Sequence, residues 1–291
     1  VYKKALSLNK AIEGNKTNNY LRIAIGLGQV YEKMGLIKEA EELFFKILNS
    51  QENNENADIA TTLNNIGILY QQNGDYEKAH DYLFKAYEIE KRNFGANHIN
   101  LATNYNNISL NYLRKGELEK AKEYSIKSIN LYKKNFGENH PDVARALSNL
   151  ALIYKDNGIY FEAESLLTKS LEIREKVLGK LHPDTAISLN NLGLLYINQG
   201  LISKGEEVLK RNLEIVKTNY GNIHPETATA FNNLALVYED PKKSIPLLKK
   251  SLKITKEIYG TNNANSLAAM SNLALAYFEN KEYKKAEKLF L

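Results

Sequence analysis

The sequence predicts an all-α fold, an α-solenoid of stacked antiparallel helix pairs, and three observations carry that prediction. Single residues recur at a fixed step: Gly95, Gly137, Gly179 and Gly221 stand 42 apart, as do His98, His140, His182 and His224. Asn65, Asn107, Asn149, Asn191, Asn233 and Asn272, and Tyr31, Tyr70, Tyr112, Tyr154, Tyr196, Tyr238 and Tyr277, keep steps of 42 or 39. Within each step, apolar residues recur at intervals of three and four, the period of one helical face. A single helix pair cannot bury both of its apolar faces, so repeated pairs must stack into a continuous core.

The unit from His182 to Gly221 shows how each element is read. Pro183 suits the first helical turn, where its missing N–H is not needed. Leu189, Leu192, Gly193 and Tyr196 form one face, and Gly200 stops the helix. A second stripe follows in Gly205, Val208, Leu209, Leu213 and Val216, closed by Gly221. Gly193 and Gly205 are small enough to let the two helices approach closely. The run Leu189-Asn-Asn-Leu-Gly-Leu-Leu-Tyr196, with Gly200 and a small residue five later, resembles the tetratricopeptide repeat. That family's unit usually has about 34 residues. The longer second helix here, with the Gly-x-x-His-Pro linker at Gly137–Pro141, Gly179–Pro183 and Gly221–Pro225, is similar to the repeats of kinesin light chains and of many bacterial proteins. The resemblance spans essentially the whole chain and implies a right-handed superhelix. The family's usual Trp is absent, and Leu63, Leu147 and Leu189 stand in its place.

Composition excludes several classes. The chain has 291 residues, no Cys, and 25% charged and 43% hydrophobic residues. Disulfide frameworks, Cys-ligated zinc and thiol catalysis are therefore out. No apolar run reaches the ~18 residues that span a bilayer. The net charge of +5 is spread over both halves, so no basic tail marks a nucleic-acid handle. Length alone would suggest about two domains of ~150 residues. The repeat instead predicts one array over 1–291, with units starting near 21, 60, 102, 144, 186, 228 and 267. Residues 1–20 read as the end of a preceding unit and its linker, and the last unit is truncated. Both ends fall inside a unit, so the chain reads as a window from a longer protein.

Two units depart from the pattern. The first linker, Asn49–Asn56, lacks Gly, His and Pro and is three residues short. In the sixth unit, Tyr238-Glu-Asp-Pro241 shortens the turn, and Pro246 follows. Proline in a helix interior breaks a hydrogen bond, so this second helix is predicted to start late, near Ser244, or to kink.

The first helices of stacked pairs line an inner, concave face, and an angle of 100° per residue identifies the stripe opposite the core. In the fifth unit that stripe is Ile187, Asn191, Leu194 and Asn198. Transferred to the other units it yields three features. The Asn of the ladder above recurs in six of seven units, and a carboxamide both donates and accepts hydrogen bonds. A row of Asn65, Asn107, Asn149, Asn191, Asn233 and Asn272 could hold the backbone of an extended peptide; in peptide-binding members of the resembled family, an Asn at this place contacts the bound chain. The competing role is a bond to a neighbouring helix or only to solvent; the adjacent Asn64, Asn106, Asn190 and Asn232 point ~100° away and are assigned mainly to helix–helix packing. Next, Ile68, Leu110, Leu152, Leu194, Leu236 and Leu275 form either an exposed apolar strip or packing between adjacent first helices. Finally, the last position runs Lys33, Gln72, Arg114, Asp156, Asn198, Asp240 and Glu279, with Arg22, Arg145 and Lys155 adding positive charge toward the start. That is either a gradient that orients a ligand or ordinary surface scatter.

Enzyme chemistry is not expected. One His per repeat cannot gather around a single zinc, so the histidines are assigned to the linker, as helix caps. Gly26-Leu-Gly28 lacks the third Gly of a dinucleotide loop. No cofactor, metal or catalytic group is predicted. The expected function is a non-enzymatic scaffold holding a protein or extended peptide in the concave groove. The alternative is a sensor or regulatory region of a larger signalling or defence protein, fused to an NTPase or protease domain, with other domains of the same chain as partners. A cytoplasmic location is expected, with no membrane contact. Nucleic acid is not the expected partner, because the stripe has few basic or aromatic residues for reading single-stranded RNA.

Overall fold

The computed structural model describes residues 18–50 and 56–290. Residues 1–17, read as the tail of a preceding unit, and 51–55 of the first linker lie outside them. The described residues form fourteen helices and no strand. The chain divides into two compact units, Val1–Glu138 and Asn139–Leu291. The first holds α1 (Asn18–Lys33), α2 (Ile37–Ser50), α3 (Ala57–Gln72), α4 (Tyr76–Phe94), α5 (Asn100–Arg114) and α6 (Leu118–Phe136). The second holds α7 (Pro141–Asp156), α8 (Tyr160–Val177), α9 (Pro183–Asn198), α10 (Ile202–Tyr220), α11 (Pro225–Ala235), α12 (Pro241–Tyr259), α13 (Ala264–Glu279) and α14 (Tyr283–Phe290). Within each unit every helix packs on the one before it and the one after it. The first helices begin two or three residues ahead of the apolar positions used to place them.

Local chemistry sets the helix limits. His140, His182 and His224 each accept a hydrogen bond through Nδ1 from the amide two residues on, at 3.1–3.2 Å, with Pro in the first turn. The histidines are thus caps, as the linker reading requires. Each linker Gly that closes α6 and α10 sits at φ near +80°, a left-handed conformation that would strain another residue.

The expected late start of the helix after Pro241 does not occur. Asp240 accepts from the Lys242 amide at 2.9 Å, and α12 runs nineteen residues from Pro241, as long as α4, α6 and α10. Pro246 lies inside it on the exposed face, and the Lys242 carbonyl that loses its N–H partner is also at the exposed face. The shortening falls on α11 instead, which has eleven residues where α7, α9 and α13 have sixteen.

The core is mostly aliphatic, and three pairs cross closely at a glycine. A Cβ on Gly193 would lie 2.5 Å from Leu209 Cγ, and one on Gly67 would lie 2.7 Å from Leu83 Cγ. Gly28 meets the Phe44 ring in the same way. Buried polar side chains pin the pairs as well. Ser128, Ser170 and Asn212, one per second helix, donate to the carbonyls of Ala102, Ala144 and Ala186 at 2.7–2.8 Å. One further buried position is Glu90, Tyr132 and Arg174 in successive second helices. Glu90, 6% exposed, accepts from Asn104 Nδ2 at 3.0 Å. Burial pushes its carboxyl up to about 7 from 4.5.

Two predictions follow from this packing. Gly193→Ala should cost about 1–3 kcal/mol of stability by overpacking. Gly205→Ala should cost far less, because its Cβ would meet nothing closer than 3.2 Å and the equivalent position is Ala in α2, α4, α6 and α8. Equal losses in urea unfolding would refute this account of the crossing. Glu90 binds its proton more tightly folded than unfolded. Stability should therefore fall as pH rises through the window from 4.5 to about 7, with the penalty, up to about 3 kcal/mol, fully present above it. Glu90→Gln should flatten that dependence and be the more stable form at pH 8. Parallel unfolding midpoints at pH 5 and pH 8 for both proteins would contradict it.

Candidate functional site

The first-helix face divides into a polar seam and an apolar margin. The seam is built by paired asparagines on consecutive first helices. Asn107 Nδ2 donates to Asn64 Oδ1 at 3.0 Å, Asn233 Nδ2 to Asn190 Oδ1 at 2.8 Å, and Asn272 Nδ2 to Asn232 Oδ1 at 2.7 Å. Asn232 also donates to Asn233 Oδ1 at 3.3 Å, so a chain of four amides crosses α13, α11 and α9. The ladder asparagine thus spends one donor on the preceding first helix, and its neighbour accepts it. Asn65 accepts from Gln29 at 3.5 Å and is buried, as is Asn107. Asn149, Asn191, Asn233 and Asn272 are half-buried. Asn191 has no such clasp among the described residues, because Ser148 replaces the accepting Asn and bonds Ser170 instead.

The apolar positions split between the two roles open to them. Ile68, Leu110, Leu152 and Leu194 are half-buried. Leu236 and Leu275 are 54% and 53% exposed, and Ile187, on the same face, is 49% exposed. Leu236 lies just past the end of the shortened α11, which leaves it uncovered.

The charged positions also differ in availability. Arg114 stands exposed at the end of α5. Arg145 donates to Asp142 at 2.8 Å, Lys155 lies 3.4 Å from Asp156, and Asp240 is occupied as a cap. Glu279 is exposed at the end of α13. The side chain of Lys33 lies outside the described residues. No group of three or more His, Asp or Glu side chains is placed to hold a metal among the described residues. No helix among them is long and apolar enough to cross a membrane.

Two features escaped the sequence reading. The ladder tyrosine is held from two sides. Lys78, Lys120, Lys204 and Lys285 place their ammonium groups 5.2–5.4 Å from the ring centres of Tyr70, Tyr112, Tyr196 and Tyr277. The hydroxyls of Tyr70, Tyr196 and Tyr238 donate at 2.8–3.0 Å to Glu41, Glu164 and Glu206 of the preceding pair. Burial, reinforced by the Glu partner, pushes the Tyr70 and Tyr196 hydroxyls up to about 12. The step from Lys78 to Lys120 is 42, so the signal was present beside the tyrosine ladder. The second feature is a pair of cavities in the Asn139–Leu291 unit: about 180 Å³ between α9, α10 and α11, and about 200 Å³ between α11, α12 and α13.

Family models described as tetratricopeptide repeat match residues 58–134, 108–158, 142–204, 239–291 and, for a second model, 185–226. No curated protein matches the sequence. Among solved structures, nearly identical, TPR-like repeats described as kinesin light chain, from Podospora anserina, superpose with a TM-score of 0.58 at 23% identity, over 66% of this chain and 92% of that one. A signal transduction ATPase with numerous domains and a tetratricopeptide repeat sensor, from Pyrococcus horikoshii, superposes at 0.66 and 17% identity, over 99% of this chain and 43% of that one. A Rap protein complexed with competence and sporulation factor superposes at 0.66 and 13% identity, over 99% and 91%. At these identities the likeness is one of fold.

The amide seam predicts a measurable coupling. Asn190→Ala and Asn233→Ala should each destabilise the chain, and the double variant should lose about 0.5–1.5 kcal/mol less than the sum. Additive losses in chemical unfolding would mean that the clasp contributes nothing.

Proposed function

We propose a function for this chain from the premise that it belongs to the tetratricopeptide repeat family. It is a non-enzymatic binding scaffold, and it holds a protein or peptide segment against the first-helix face of the Asn139–Leu291 unit. The observation that carries this reading is the exposure of Ile187, Leu236 and Leu275 on that face, beside half-buried carboxamides that keep unused acceptor and donor positions. Leucines left open to water beside a polar seam suit a partner that covers the apolar margin and bonds to the seam. In the Rap complex, a protein of the same fold engages a factor. A second reading, that this chain is the sensor region of a larger signalling protein, is favoured by its match to 43% of an ATPase whose repeats form a sensor.

Leu236 and Leu275 are exposed, so replacing both with Ser should leave stability within about 1 kcal/mol. Immobilised Leu236→Ser/Leu275→Ser protein should recover several-fold less partner from extracts of the source cells than the unaltered chain does. Undiminished recovery by a folded double variant would refute the assignment of this face.

A further inference from the structure

The two cavities that adjoin α11 are copies of one frame, one repeat apart. Pro183 and Tyr220 bound the first as Pro225 and Tyr259 bound the second. Their linings differ in chemistry. The first has Ile187 and Val216 as aliphatic walls, with Glu226 as a carboxylate in the lining. The second has Thr229, Thr255 and Asn265 at those places, a neutral polar lining. Glu226 is exposed and has no ion-pair partner among the described residues. Its backbone amide, not its carboxylate, serves the His224 cap. Asn212, 4% exposed, also lines the first cavity. It donates Nδ2 to the Ala186 carbonyl at 2.8 Å and leaves Oδ1 without a partner.

We infer that the first cavity is a subsite for a flexible aliphatic side chain ending in a cation, the chemistry of lysine, on the segment bound to the first-helix face. This rests on the binding face proposed above. Such a side chain lays its methylene stem along apolar walls and keeps its ammonium in water. Ile187 and Val216 supply the walls, and Glu226 the countercharge. An anionic side chain would meet the Glu226 carboxylate, which repels it, and a purely aliphatic one would make no use of that charge. The second cavity, at the equivalent place one repeat on and without a charged residue in its lining, provides an internal control.

The test uses the whole chain, labelled with 15N and on Ile and Val methyls, titrated with n-butylammonium, n-butyrate and n-butanol. Butylammonium should shift the Ile187 and Val216 methyls and saturate in the millimolar range. Butyrate should not saturate. Glu226→Gln should weaken butylammonium about fivefold, and the exchange Ile187→Thr/Val216→Thr/Glu226→Asn, which copies the second lining, should abolish it. Absence of saturation, equal affinity for butyrate or butanol, or indifference to Glu226→Gln would overturn the subsite. The two readings fail separately. If the Leu236/Leu275 variant retains its partner while butylammonium still saturates the cavity, the face falls and the cation site stands. If partner recovery drops and butylammonium does not bind, the subsite alone is refuted.

Discussion

A helix pair has more apolar surface than its two members can hide from each other, and everything else in this molecule answers to that excess. The close crossing at Gly28, Gly67 and Gly193 brings the members together until a large side chain of the second helix fills the space over a bare backbone. The remaining faces close only against the next pair. Leu189, Ile215 and Ala230, from three consecutive helices, share one buried cluster. The core is therefore a chain of local clusters, each spanning neighbours, and stability is set step by step along it.

Stacking alone fixes distance but not register, because aliphatic surfaces slide. The polar interior supplies the register. Buried hydroxyls and an amide reach the carbonyls of Ala102, Ala144 and Ala186 within pairs, and paired asparagines tie first helix to first helix. A buried polar group left unpartnered costs more than a made bond contributes, so a slip of one residue is penalised at each of these points. The same amides border the face proposed to bind a partner, which makes that face stiff where it is polar and open where Leu236 and Leu275 emerge.

Most of the fold was legible because it was written several times. Repetition exposed the helix pairs, the histidine caps and the small residues at the crossing. The face was legible only in part. Period and angle place Asn107 and Asn233 on the side of their helices next to a neighbouring first helix, where a carboxamide can bond sideways as readily as outward; in the fold Nδ2 goes to the neighbour. The apolar stripe was ambiguous for the same reason. Its outcome varies by position, half-buried at Leu110 within its helix and exposed at Leu236, which lies just past the end of its own shortened helix. Pro246 does not delay the helix because it lies on the exposed face, a placement its position in the sequence alone does not specify. The cavities had no signal in one unit, since their linings come from three helices.

The three residues missing from the sixth unit are taken from the end of α11, beyond Asn233 and ahead of the Asp240 cap. The amide chain on one side and the capped second helix on the other keep their alignment. The first linker, between pairs, is also three residues short, so length changes in this array fall at the junctions between helices, here the one between the two members of a pair. There, a change of length leaves the neighbours zipped and alters only how far a first helix extends. A gene built from duplicated units can thus diversify its exposed surface by resizing this junction, well before substitutions accumulate within the helices themselves.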